Sequence, residues 1–296
     1  MQKKGFAVAT FLILVFCTSS QSQVVLPDST VTLLKAAVEG FQNRYHSPSI
    51  VVAIVHDKKI IFSEARGYTD QENKIPASID SKYPVLSVTK IFTATMLMQL
   101  KQRNVVKLED DVKTYVPEFS SADSRRNNTR TTLLQLATHT SGLPRNSQAD
   151  INFTKQVDRW MFTGANYPSI ELATNKAFLQ SLPYVQKEYP DYQLLSYGDR
   201  HYSNLGYSLL GIALERAAKK SYGEYIVDNI CKPLRMSNSG IGTETTGSNI
   251  VANGYYYNDS TKEFIKTPVF RANSGLYARR HVFDSQRSGH IHQFSI

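Results

Sequence analysis

Ser87 and Lys90 stand three residues apart in PVLSVTK, at the head of the apolar run IFTATMLMQL, which carries no further charge until Lys101. On a helix, residues i and i+3 share a face, so this spacing lets the ammonium reach the serine hydroxyl. A serine hydroxyl is a weak nucleophile until a neighbour takes its proton. A lysine can do so only where burial or nearby positive charge lowers its pKa. An apolar helix offers that burial, and the helix N-terminus adds N–H groups and partial positive charge that favour an oxyanion beside Ser87. The plain alternative is an N-cap serine with a lysine that snorkels off an apolar face. About one S-x-x-K spacing arises by chance in a chain of this size and composition. SVTK is the only one present.

The second constellation is YSN, Tyr202 to Asn204, at the head of another helical pattern. A phenol near an ammonium can shuttle protons, and a carboxamide can hold both the lysine and a substrate amide. By itself YSN says little, because Asn204 would also serve as an N-cap. With Ser87 and Lys90 it supplies a nucleophile, two proton carriers and a positioning amide. The histidines ask for less. His139 in ATHTSG reads as a structural hydrogen-bonding residue at a helix end, and His201 as an exposed loop residue, with the cleft wall as the alternative. His290 and His292 form an H-x-H pair without a third ligand at useful spacing, so no metal is expected. No G-x-S-x-G elbow occurs, and Ser274 in NSGL has no helix after it to build one.

Elements that position these residues follow from periodicity. Val31, Leu33, Leu34, Ala37, Val38 and Phe41 recur at helical spacing after Asp28-Ser29, which predicts an amphipathic helix over 29–45. SIVVAIVH (49–56) and KIIFSEARGYTD (59–70) are β-branched runs joined by HDKK, a hairpin whose first strand, apolar on both faces, should be central and covered by helices. A helix runs from SVTK to about Arg103, TTLLQLATHTSGLP is a short helix stopped by Gly142 and Pro144, and ELATNKAFLQSL is a helical patch. HYSNLGYSLLGIALERAAKK is strongly helical. The pattern is a strand-bearing unit wrapped around a helical insertion of about 85–240.

The chain has 296 residues, 41% of them hydrophobic and 20% charged, enough for a sizeable core. MQKKGFAVATFLILVFCTSSQSQ has Lys3 and Lys4, an apolar stretch and then small polar residues, the pattern of a signal peptide over 1–22. Its apolar part is shorter than the ~20 residues that span a bilayer, so no transmembrane span is expected after cleavage; lipidation of Cys17 is the minor alternative. Cys231 is then the one remaining cysteine and reads as buried and inert. The formal charge of +9 lacks a dense basic run with interleaved aromatics, so nucleic acid is not expected as a partner. Arg125 with Arg126, and Arg279 with Arg280, read as solvated loop.

Taken in order, VVAIVHDKKIIFSEARGYTD, SVTK, LEDDVKTYVPEF, LLQLATHTSGLP, YSN, LGYSLLGIALE and KPLRMSNSGI resemble the serine β-lactamase and D,D-peptidase superfamily, most closely its class C β-lactamase branch, from about Ser49 to Tyr277. The resemblance implies an α/β (α+β type) fold with an antiparallel sheet flanked by helices and a mostly helical second part, the active site between them. It makes Ser87 the acylated nucleophile, Lys90 its activating partner, Tyr202 the proton relay to the leaving group and Asn204 a substrate-positioning group; whether lysine or tyrosine is the base stays open. It implies a serine hydrolase acting through an acyl-enzyme on β-lactams, D-Ala-D-Ala-type peptides of the peptidoglycan stem, or small esters, with no cofactor, in an exported protein of the periplasm or extracellular space. The sequence departs from the pattern in one respect. The superfamily's third motif, Lys or His, then Thr or Ser, then Gly, does not follow YSN; the nearest string is Arg287 to Gly289, RSG. After FRANSGLYA the tail of 278–296 loses periodicity, which reads as truncation or a changed reading frame. The expected units are the leader of 1–22, a β-lactamase-like domain of 23–277 lacking some C-terminal sheet strands, and the atypical tail of 278–296. The alternative is therefore a catalytically impaired fragment, or a non-enzymatic protein that binds penicillins or peptidoglycan peptides.

Overall fold

The computed structural model describes residues 25–121, 130–147, 151–152, 155–156, 159, 169–172, 178–180, 202–241, 251–267, 269–272 and 281–284. The leader, the pairs Arg125-Arg126 and Arg279-Arg280, and His201, Ser274, Arg287 to Gly289, His290 and His292 all lie outside the described residues. Among those described, no helix is long and apolar enough to cross a membrane.

Helix α1 covers Asp28–Arg44 and leads into a hairpin of β1 (Ser49–His56) and β2 (Lys59–Asp70). The turn residues Asp57 and Lys58 both have positive φ, 46° and 64°, the type I′ requirement for a two-residue hairpin whose twist matches its strands. Pairing is antiparallel from His56 opposite Lys59 to Ser49 opposite Gly67. Gly67 has φ 79°, and a Cβ there would collide with the Pro48 carbonyl oxygen, so the residue must be glycine where the two strands close on each other.

β3 (Ile75–Pro76) pairs with β2, giving the order β1-β2-β3. The expectation that β1 is central is thus not met among the described residues: β1 lies at an edge, and Ser49 to Val55 are half-buried. A run apolar on both faces reports what covers the faces, not what pairs along the edges.

At the end of β2, Asp70 is 6% exposed, and its carboxylate ties three segments together. One oxygen accepts the Asn73 N–H at 2.8 Å. The other accepts from the side-chain amides of Asn73 at 2.9 Å and Asn253 at 3.0 Å, and the Lys266 ammonium stands 3.8 Å away. The backbone N–H of Asn73, then its side-chain amide, hold the pKa of Asp70 down at about 2, from 3.8. Because the folded value is depressed, this contribution to stability is complete above pH 3.8 and is lost as pH falls from there toward about 2. Urea unfolding across that window should show an acid decline that Asp70→Asn flattens; an equally steep decline in Asp70→Asn would assign the acid sensitivity elsewhere.

β4 (Lys82–Pro84) feeds a 3₁₀ turn at Leu86–Val88 and then α2, Thr89–Gln102. Within the aperiodic tail of 278–296, four residues form a strand. β10 (His281–Asp284) lies antiparallel between β4 and β6 (Gly240–Ile241), with Val282 opposite both Pro84 and Gly240. Four residues are too few for periodicity to mark a strand, and pairing on both edges supplies what propensity does not. The helical patch ELATNKAFLQSL is also corrected at its start: β5 (Ser169–Leu172) runs parallel to β9 (Val269–Ala272), and helical geometry is described only at 178–180. β7 (Tyr255–Asn258) and β8 (Glu263–Lys266) form a second antiparallel hairpin.

The buried core sits with the helices. α2 turns Thr89, Lys90, Phe92, Thr93, Met96, Leu97 and Leu100 inward, a stripe at i, i+3, i+4 and i+7 spacing. It meets α3 (Leu133–Ala137), α4 (Asn204–Ala218) and α5 (Tyr222–Ile226) through Leu133, Leu136, Leu209, Leu210 and Tyr222. Cys231, at the end of a π-helical turn over Val227–Cys231, belongs to this core, and burial pushes its thiol up to about 11. It is therefore protonated and unreactive, in accord with its sequence reading.

Candidate active site

Lys90 occupies the same buried stripe that packs α2 against the other helices, which accounts for an ammonium at the head of an apolar run: it is 7% exposed and points inward. Ser87 precedes the helix proper, in the 3₁₀ turn, and is exposed. Leu86, just before it, has φ 44°. A left-handed non-glycine conformation costs roughly 1–3 kcal/mol and survives where the surroundings fix it. Here it accompanies the chain's entry from β4 into the turn that presents Ser87 to the cleft.

Two donors converge on that hydroxyl. Lys90 Nζ donates to Ser87 Oγ at 3.3 Å and Tyr202 OH donates to the same oxygen at 2.8 Å. Lys90 Nζ also donates to Asn204 Oδ1 at 3.0 Å, and the Nζ lies 4.6 Å from the centre of the Tyr202 ring. The four residues singled out in the sequence are thus brought to one point by the turn into α2, its first residues and the entry into α4.

Ser203 explains how YSN can present two side chains at once. Its Oγ accepts from Gly206 N–H at 2.9 Å and donates to the Pro144 carbonyl at 2.6 Å, so Ser203 is the N-cap of α4. By residue type Asn204 suits that task equally, but Ser203 performs it. Relieved of it, the Asn204 carboxamide gives its oxygen to Lys90 and its nitrogen to Asn146 Oδ1, at 2.9 Å. The Arg145 carbonyl accepts the Asn204 N–H at 2.8 Å, and the guanidinium of Arg145 sits 5.2 Å from the Tyr202 ring. Asn146 and Arg145 were not legible in advance; they follow a helix stop in SGLPRN and belong to no periodic pattern.

Electrostatics favour proton movement. Burial raises the Tyr202 phenol, but hydrogen bonds with Lys90 and Ser87, followed by the charges of Lys90 and Arg145, outweigh it and leave the pKa below the ordinary 10. Behind it, burial pushes Tyr207 up to about 12, so that phenol stays protonated and donates to the Ala137 carbonyl at 2.8 Å. A cleft of about 570 Å³ opens over the group, lined by Leu86, Ser87, Arg145, Tyr202 and Asn204. An exposed hydroxyl contacted by two potential bases, with a carboxamide beside it and a helix N-terminus behind, can form an acyl-serine.

A family profile described as Beta-lactamase matches residues 34–277. The chain belongs to the beta-lactamase family. Among its relatives, Beta-lactamase-like protein 2 of Dictyostelium discoideum is 28% identical over 77% of this chain and 36% of its own length. Protein flp of Staphylococcus aureus (strain MRSA252) is 29% identical over 73% of this chain and 39% of its own. The chain thus spans little more than a third of the length of these two relatives. Of solved structures, the octameric penicillin-binding protein homologue from Pyrococcus abyssi superposes with a TM-score of 0.68 at 22% identity, over 88% of this chain and 55% of that one. The mixed α/β architecture, with antiparallel sheet and packed helices, is the beta-lactamase fold.

Proposed function

We propose that the protein is a serine acyl-transfer hydrolase of the class C β-lactamase or D,D-carboxypeptidase type, acting on β-lactams, D-Ala-D-Ala-type peptides or small esters. The convergence of Lys90 Nζ and Tyr202 OH on Ser87 Oγ carries the reading. Whichever of the two is deprotonated accepts the Ser87 proton as Oγ bonds to the substrate's carbonyl carbon and an electron pair moves onto the carbonyl oxygen. Collapse breaks the C–N or C–O bond, and the proton passes through Tyr202 to the departing nitrogen or oxygen. Water then attacks the acyl-serine, releasing the acid and returning the proton to Ser87. Asn204 holds Lys90 and offers its amide edge to the substrate. We place this chemistry outside the cytoplasm, on the export-signal pattern of residues 1–22.

A second reading keeps acylation and drops turnover, because no Lys or His, Thr or Ser, Gly string follows Tyr202 in this sequence. The test is covalent labelling with a fluorescent penicillin and a fluorophosphonate, run beside hydrolysis of nitrocefin and p-nitrophenyl esters. Labelling that Ser87→Ala abolishes, with turnover, supports the hydrolase; labelling without turnover supports a penicillin-binding protein. Labelling that persists in Ser87→Ala rejects both.

A further inference from the structure

The imidazole of His139 lies directly behind the site, in the segment that follows α3. Its Nδ1 accepts the backbone N–H of Ser203 at 3.0 Å. Its ring stands 4.6 Å from the ring of Tyr202 and 5.0 Å from that of Tyr207. Tyr207 is itself fixed, with its hydroxyl bonded to the Ala137 carbonyl. The imidazole is therefore wedged between a fixed tyrosine and the reactive one, while its nitrogen grips the peptide that joins Tyr202 to Asn204. His139 adopts φ 60°, and its side chain meets Tyr202, Ser203 and Tyr207.

We propose that His139 is a positioning residue of the acylation site: as a neutral imidazole protonated on Nε2, it orients Tyr202 toward Ser87 and the Ser203 peptide toward the α4 N-terminus. This rests on the acyl-serine reading and extends it to a residue that touches no substrate. The tautomer follows from geometry, since a nitrogen that accepts from an N–H carries no proton of its own. Charged and titratable groups reach the imidazole from two elements: Lys90 from α2, and Tyr202 and Tyr207 from α4 and the residues before it, with Arg145 against the Tyr202 ring. Burial, and then the charge of Lys90, hold His139 below its ordinary 6.5, which keeps it neutral at neutral pH. Protonation would place a hydrogen on Nδ1 against the Ser203 N–H and add a second cation beside Lys90. The site should therefore lose its tyrosine as pH falls, over and above any loss caused by protonating the base.

His139→Asn and His139→Leu separate the parts. Asparagine tolerates a left-handed backbone, places an acceptor oxygen near the position of Nδ1 and cannot be protonated. Leucine removes the acceptor. In acylation by fluorescent penicillin or fluorophosphonate between pH 5 and 8, His139→Asn is expected to stay within about threefold of wild type at neutral pH and to show a shallower acid limb, one proton fewer. His139→Leu is expected to acylate on the order of 10²-fold more slowly, the usual penalty for misplacing a catalytic group by an ångström. Leucine labelling at the wild-type rate overturns the proposal. Should the leucine variant not fold, asparagine decides alone, and an acid limb identical to wild type overturns it. If wild type takes up neither probe, the acyl-serine reading fails separately, and ¹⁵N-histidine spectra still judge this inference. An Nε2-protonated, Nδ1-accepting His139 titrating below 6.5 supports it; an Nδ1-protonated tautomer refutes it.

Discussion

Lys90→Arg is expected to acylate roughly 10²- to 10⁴-fold more slowly than wild type, the span a positioned acid–base group contributes. Arginine keeps the positive charge but cannot give up a proton near neutral pH. Its planar fork must also replace an ammonium that bonds Ser87 at 3.3 Å and Asn204 at 3.0 Å from a position 7% exposed. Lys90→Met supplies the complementary control, keeping length and losing charge. Because Lys90 helps to hold the Tyr202 phenol below its ordinary value, the methionine variant should raise that pKa and move the acid limb of acylation to higher pH. Stopped-flow labelling with fluorescent penicillin reads both effects. Wild-type rates in Lys90→Arg would reduce the lysine to a fixed charge and contradict its assignment.

Tyr202→Phe should be nearly as damaging. The ring can stay against His139 and under Lys90, since both contacts are made by its faces. What goes is the 2.8 Å bond to Ser87 Oγ and, under the proposed mechanism, the group through which the proton reaches the leaving atom. The loss should therefore depend on that leaving atom. An activated p-nitrophenyl ester, whose phenolate departs without protonation, should be cleaved by Tyr202→Phe with a smaller deficit than a β-lactam, whose nitrogen must be protonated. Equal deficits for the two would show that the tyrosine orients the site without carrying the proton. Here kcat/KM for each substrate is the quantity to compare.

How much of this was legible beforehand depends on the range of the forces involved. Ser87 and Lys90 are three residues apart, a local geometry that spacing dictates: the 3₁₀ turn presents Ser87 and the first turn of α2 carries Lys90 beside it. The hairpin of β1 and β2 was read to its boundaries because alternation and a polar turn are local signals. Asn204 stands out in the sequence, but its carboxamide is freed for Lys90 by the cap that the neighbouring Ser203 provides and fixed by Asn146, which is brought in from across the fold. Strand pairing was the least legible. β10 finds β4 and β6, and β5 lies parallel to β9, through backbone bonds between residues distant in sequence. Short strands of this kind carry too little periodicity to announce themselves. The edge position of β1 was missed for the same reason: composition speaks of faces, and only topology speaks of edges.

Acylation of Ser87 Oγ underlies every step proposed, and mass spectrometry of the protein after exposure to a penicillin tests it most directly. The prediction is one added penicilloyl group, localised by peptide fragmentation to Ser87 in the segment before α2, and absent from Ser87→Ala shown by circular dichroism to remain folded. A penicilloyl group on any other residue, or an adduct that forms equally in Ser87→Ala, would contradict it.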